Sequence, residues 1–378
     1  MKTFTLYYLC SLVILSFIGA CSKQIKETTV PDEVVTEAMK PGLSTKQGVI
    51  YTESNAADTN SILAYLQNSN GTLSLLYTTE SGGDGAGAGL GSQGALQISG
   101  DHQWLFAVNA GSNSISSFFI HENGCVTLMA TVSSNGVFPV SLTVHNNLLY
   151  VVNSTSANIS GFTIGSGGSL TLIPGSNQSL SAANAAPAQI NFIPGGNYLL
   201  VTEKMTNKIT RFPVNGSGVA GAGSSITSAN TTAFGFDFAG NYAIVSEVAG
   251  GAPSASTVSS YAGGVSLTSG PVCAGHTAAC RVKTTKDGRY AYVSNTGNNN
   301  ISLFGVSSGG TVTLINAIAA TTGMAPADLT LSSNEFYLYV INGTSHSISE
   351  FRKGSNLSLQ SIGEITGLPP FAAGLVAR

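Results

Sequence analysis

The chain has 378 residues, 45 of them glycine, and only 9% are Asp, Glu, Lys or Arg. A formal net charge of −3 with no run of Lys or Arg argues against a nucleic-acid surface or a polybasic membrane patch, since phosphate contacts need clustered cations. Polarity rests on Ser, Thr and Asn, and apolar residues recur with a period near two, so an all-β chain is expected.

In chain order, Lys2 precedes an apolar stretch from Leu6 to Ile18 that ends in Ile18-Gly19-Ala20-Cys21. The stretch is short for a membrane span and has the layout of a secretory signal. Small residues directly before a Cys resemble the lipobox of bacterial lipoproteins, which implies removal of residues 1–20 and lipidation of Cys21. An ordinary signal with an incidental Cys is the alternative. Ser22 next to that Cys resembles outer-membrane sorting in a Gram-negative envelope. The expected location is therefore the cell envelope, lipid-anchored, with the lipid as the only membrane contact. Residues 22–47 carry Lys, Glu, Thr and Pro without periodicity and read as a flexible tether.

From residue 48 to 378 one phrase returns roughly every 45 residues: an apolar run ending in a polar residue, a Ser/Asn-rich turn, an alternating strand, a Gly turn and another strand. Two copies read "LYVVNSTSANISGFTIGSGGSLTLI" from Leu149 and "AYVSNTGNNNISLFGVSSGGTVTLI" from Ala291. The residue closing the first run is placed at Glu53, Asn109, Asn153, Glu203, Glu247, Asn295 and Asn342. A four-stranded sheet cannot bury both faces alone, so copies of this length close into a ring. A seven-bladed β-propeller with four-stranded antiparallel blades is expected. In the sixth copy the strands are placed at 281–285, 290–295, 301–306 and 311–315. The first copy lacks an inner strand, and the carboxyl-terminal "PPFAAGLVAR" supplies one, closing the ring without a free edge. Phe118, Phe162, Phe212, Phe304 and Phe351 recur in the third strands as packing residues. The glycine-rich run 82–91 has no helix behind it, so it reads as an inter-blade loop near the mouth and not a phosphate cradle.

Cys273 and Cys280 flank a Gly-containing loop and could pair in an oxidising compartment, or serve with Cys125 as small buried hydrophobes. No CxxC or HxxxH spacing points to a metal, and no cofactor motif occurs. His276 and His346 fall in loops that the phasing places at one mouth of the ring, in adjacent blades. Arg281 opens an inner strand beside the channel. These three are the candidate ligand-binding residues.

The phrases "DGRYAYVSNTGNNNISLF", "LLYVVNSTSANISGF" and "FYLYVINGTSHSISEF" resemble the YVTN-type repeats of the lactonase-like propellers, a family that includes 6-phosphogluconolactonase and carboxymuconate cyclase. The resemblance covers residues 48–378. It implies a funnel mouth carrying His, Arg and Glu where inner strands begin and second strands end. The Pro-His expected in the fourth blade is Pro187-Ala188 here, and the Arg-His of the fifth is Thr232-Ala233. The Asn-Arg-Gly of the sixth is Asn295-Thr296-Gly297. The carboxylates persist as Glu203 and Glu247.

Lactone opening needs a base for water and a donor for the oxyanion. Glu247 would be the base, and Glu203 would orient water or bind a sugar hydroxyl. With His and Arg missing, the expectation is an exported monomer whose mouth binds a carbohydrate, peptide or protein ligand with a degenerate catalytic site. The alternatives are a lactone hydrolase using Glu247 and a structural envelope lipoprotein.

Overall fold

The computed structural model describes residues 48–248 and 256–378. The signal, Cys21 and the tether lie outside the described residues.

Alternating sequences such as Tyr290–Asn295, whose interior residues are buried, pair into seven antiparallel sheets arranged as a ring. In blades two to seven the strands run from inner to outer in sequence order. Blade six, for example, comprises Ala279–Thr284, Tyr290–Asn295, Asn300–Val306 and Val312–Thr321. Its fourth strand is longer than the sequence suggests, because a bulge lets Ile301 pair with Ala320 beyond the expected end. The short strand Gln178–Ser179 is added to blade three. The ring closes as expected: Ala373–Ala377 pairs antiparallel with Val49–Glu53, and Leu375 is only 5% exposed. Blade one therefore combines the two ends of the described chain, which ties closure to long-range pairing.

The register of blade one departs from the sequence reading by one residue. Glu53 pairs with Ile62, as Ser294 does with Ile301, so Ser54 and not Glu53 occupies the position of Asn295. The amide of Ser54 bonds the carbonyl of Ser61, continuing that pairing. A polar residue at each of two adjacent positions made the shift invisible in the repeat alone.

The core lies between blades. The five recurrent phenylalanines of the third strands are at most 2% exposed and pack between neighbouring sheets.

Two ends of the ring are chemically distinct. At one, the mouth, inner strands begin and second strands end. At the other, inner strands turn into second strands through tight loops such as 285–289.

Candidate functional site

In blades six and seven the polar residue closing the second strand is a fastener within its own blade. Asn295 donates through Nδ2 to Asn300 Oδ1 and Ser302 Oγ, both at 2.7 Å. Asn342 does the same to Ser347 Oγ and Ser349 Oγ, at 3.0 and 2.8 Å. At Glu203 the polarity is inverted. Its carboxylate accepts from Thr206 Oγ1 and Thr210 Oγ1, each at 2.6 Å, and from the amide and hydroxyl of Ser181. Glu247 accepts from Ser228 Oγ at 2.5 Å, Ser259 Oγ and Tyr261 Oη at 2.7 Å, and Thr257 Oγ1 at 2.8 Å. Glu and Asn can exchange here because Ser and Thr hydroxyls both donate and accept. Both glutamates are fully buried. A general base needs a lone pair directed at water, and these carboxylates spend theirs on protein hydroxyls.

Arg281 is also occupied. Its guanidinium donates to the Ser92 carbonyl at 3.0 and 3.3 Å and sits 5.0 Å from the centre of the Phe234 ring, whose other neighbour is Lys204 Nζ at 5.2 Å. Lys204 in turn donates to the Gly91 carbonyl at 2.5 Å. Burial, with repulsion from Arg281 added, draws the Lys204 ammonium down to about 7. These contacts hold the end of the glycine-rich loop across the axis at the mouth. Gln93 adds two more contacts across the axis, donating from its backbone amide to Ala188 O at 3.0 Å and from Nε2 to Val282 O at 2.8 Å, a residue 189 positions away. The glycines have a packing cause: a Cβ on Gly85 would lie 2.2 Å from the backbone carbon of Asn55.

His276 and His346 do not join the carboxylates. His276 Nε2 bonds the Ala317 carbonyl at 2.9 Å within blade six. His346 has φ of 52°, the left-handed slot that Asn113, Asn207 and Asn299 fill in other blades, so it is a turn residue. Nor do Cys273 and Cys280 bridge each other. Cys273 is exposed at the end of an outer strand, where its sulfur accepts the Gly275 amide, whereas Cys280 is fully buried beside Ala188 and Phe234. The cavities of about 440, 960 and 420 Å³ among the described residues are lined by none of Glu203, Glu247, Arg281, His276 and His346. Residues 249–255, which follow Glu247, lie outside the described residues.

The axial channel opens at the opposite end, as a cavity of about 440 Å³. Gln97, Gln189, Asn191, Asp237, Lys283 and Asp328 face it from five inner strands. Lys283 and Asp237 form an ion pair at 3.0 Å, and Asp237 also accepts from the amide and hydroxyl of Thr284. That pairing outweighs desolvation and raises the Lys283 ammonium further. Burial pushes Asp328 up to about 6, against the opposing pull of Arg281. Donors and acceptors alternate around the wall, an arrangement suited to hydroxyl-bearing ligands. The sequence reading missed these residues. For Asp237, Lys283 and Asp328 the signal was a charge inside the inner strands "AFGFDFA", "ACRVKT" and "PADLTL".

The family model described as lactonase, 7-bladed β-propeller, matches residues 43–182 and 255–364. Among solved structures, a provisionally assigned 6-phosphogluconolactonase from Bacteroides fragilis is similar at 21% identity and a TM-score of 0.71, covering 90% of this chain and 100% of that one. A second such protein, from Bacteroides uniformis, is 19% identical with a TM-score of 0.67, covering 89% and 100%. A periplasmic gluconolactonase from Pseudomonas aeruginosa is 16% identical with a TM-score of 0.66, covering 88% and 98%. At these identities the likeness is one of fold. No curated protein matches the sequence.

Proposed function

The chain belongs to the seven-bladed lactonase family, and within it we propose an exported, lipid-anchored propeller that binds a polar ligand and does not open lactones. One observation carries this reading: Glu203 and Glu247, the carboxylates that the family pattern retains, are fully buried and each accepts four hydrogen bonds from protein donors. Arg281, the cation that the sequence places beside the channel, is spent on the carbonyl of Ser92 in the loop across the axis. Binding is assigned to the open axial cavity, whose wall offers side-chain amides, an ion pair and Asp328. Envelope location and anchoring rest on the signal-like segment and Cys21.

The test is hydrolysis of a panel of sugar and acyl lactones by the purified protein, beside Glu247→Ala with its fold checked by circular dichroism. Turnover at the buffer rate is expected. Catalysis that the substitution abolishes would replace this reading with a hydrolase. For the anchor, Cys21→Ser is expected to move the protein from the membrane pellet to the soluble fraction; an unchanged pellet would refute lipidation there.

A further inference from the structure

Residues 47–203 contain no Lys or Arg. All ten basic residues of the described chain therefore follow Glu203, and six of them gather at the open end of the ring. Lys283 ends an inner strand, Lys286 and Arg289 lie in the turn after it, Arg352 and Lys353 end a third strand, and Arg378 follows the closing strand. In an antiparallel blade, inner-strand ends, second-strand starts and third-strand ends share one end of the ring.

Three of these cations line a second cavity of about 960 Å³, between blades six and seven. Thr285 and Glu335 line both this cleft and the axial cavity, so the two are neighbours along one path from axis to rim. The cleft holds Arg289, Arg352 and Lys353 against Asp287 and Glu335. Asp287 pairs with Arg289 at 2.7 Å and Glu335 with Lys353 at 3.8 Å. Arg352 is in no ion pair among the described residues, and this leaves one positive charge in excess on a chain of net charge −3. Aromatic surface lies alongside: Phe336 is 62% exposed, and Tyr290 and Tyr337 line the same wall.

From this juxtaposition we infer that the turn end of the ring binds an acidic oligosaccharide, with uronate carboxylates on Arg352 at the rim and neutral hydroxyls in the axial cavity. Aromatic faces match the C–H faces of sugar rings, a guanidinium matches a carboxylate in two-point geometry, and the Asn191, Gln97 and Asp237 wall matches hydroxyls. An extended peptide would add along a free strand edge, whereas the cleft is lined by turns and strand ends of two blades. The inference rests on the binding reading and names its ligand class.

The experiment is calorimetric titration of the full-length protein with a galacturonate tetramer, a neutral glucose tetramer and a glutamate-rich peptide. The uronate tetramer should bind at least about tenfold more tightly than either control, and binding should weaken as salt is raised. Arg352→Gln and Phe336→Ala, both exposed and with melting checked, should each weaken it about tenfold, while Arg211→Gln in blade four should not. No uronate binding, equal binding by Arg352→Gln, or preference for the peptide would overturn the assignment. Lactone turnover would sink the non-catalytic reading without touching this titration, and a failed titration without turnover would sink only the ligand class.

Discussion

The hydroxyl of Tyr150 donates to the carbonyl of Gly218 at 2.6 Å, joining blade three to the outer turn of blade four. The contact repeats around the ring. Tyr51 reaches Gly124 and Tyr339 reaches Gly71, each at 2.7 Å, while Tyr292 approaches the carbonyl of Leu357 at 3.5 Å. All four receiving residues have positive φ, which turns their carbonyls toward the neighbouring blade. The tyrosine of the repeat is thus a rivet between blades. Tyr150 also accepts the Ala220 amide at 2.9 Å. Tyr150→Phe keeps the ring but orphans a buried carbonyl and amide, so stability should fall by about 1–3 kcal/mol. The midpoint of urea unfolding measures this, and an unchanged midpoint would contradict the rivet.

Glu247→Gln should act on stability. An amide replaces an acceptor of four hydroxyl bonds with a group that itself donates, so hydroxyls must turn or go unpaired. The expected loss is about 2–4 kcal/mol, read as a lower denaturation midpoint. A variant as stable as the parent would mean that the carboxylate is not a fastener.

Asp328 gives stability a pH dependence. Its carboxyl is raised to about 6 in the fold, from 3.8. A raised value favours the protonated form, so its contribution is complete below the unfolded value and is lost as pH rises from about 4 through about 6, by at most about 3 kcal/mol. Asp328→Asn should remove that part of the slope between pH 4 and pH 7. Parallel melting curves for parent and variant across this window would refute it.

Deleting residues 369–378 strips Val49–Glu53 of its inner partner and removes buried Leu375. The melting temperature should fall as for a loss of at least about 4 kcal/mol, far more than a frayed terminus costs. A truncated chain that melts with the parent would mean that the ring closes some other way.

Lys204→Met keeps the stem of the side chain and removes the ammonium that holds Gly91. Amide hydrogen exchange in residues 82–95 should quicken, with the blades unchanged. Equal exchange in this loop would show that Gln93 and Arg281 suffice.

Much of the fold was legible because the repeat is local. Period-two strands, the left-handed turn glycines and the polar run-end recur every 44 to 50 residues from Asn109 to Asn342, and each copy reports on the next. The orphan strand at 373–377 could be assigned because a ring leaves one vacancy. The site was less legible. Glu203 and Glu247 look the same in sequence whether they face water or third-strand hydroxyls, and Glu53 against Ser54 is a one-residue register that only cross-strand pairing resolves.

By itself the sequence determined seven blades, their order and the closing strand, because short-range alternation and the need to bury both sheet faces admit one closed solution. Tertiary structure decided which end of the ring is open. The loop after blade one crosses the axis to reach Ala188 and Val282, a meeting that no repeat period encodes. It also decided where the charge sits. Arg289 and Arg352 are 63 positions apart in a chain with no basic run, yet they line one cleft, because the first turn of blade six lies beside the third-strand end of blade seven.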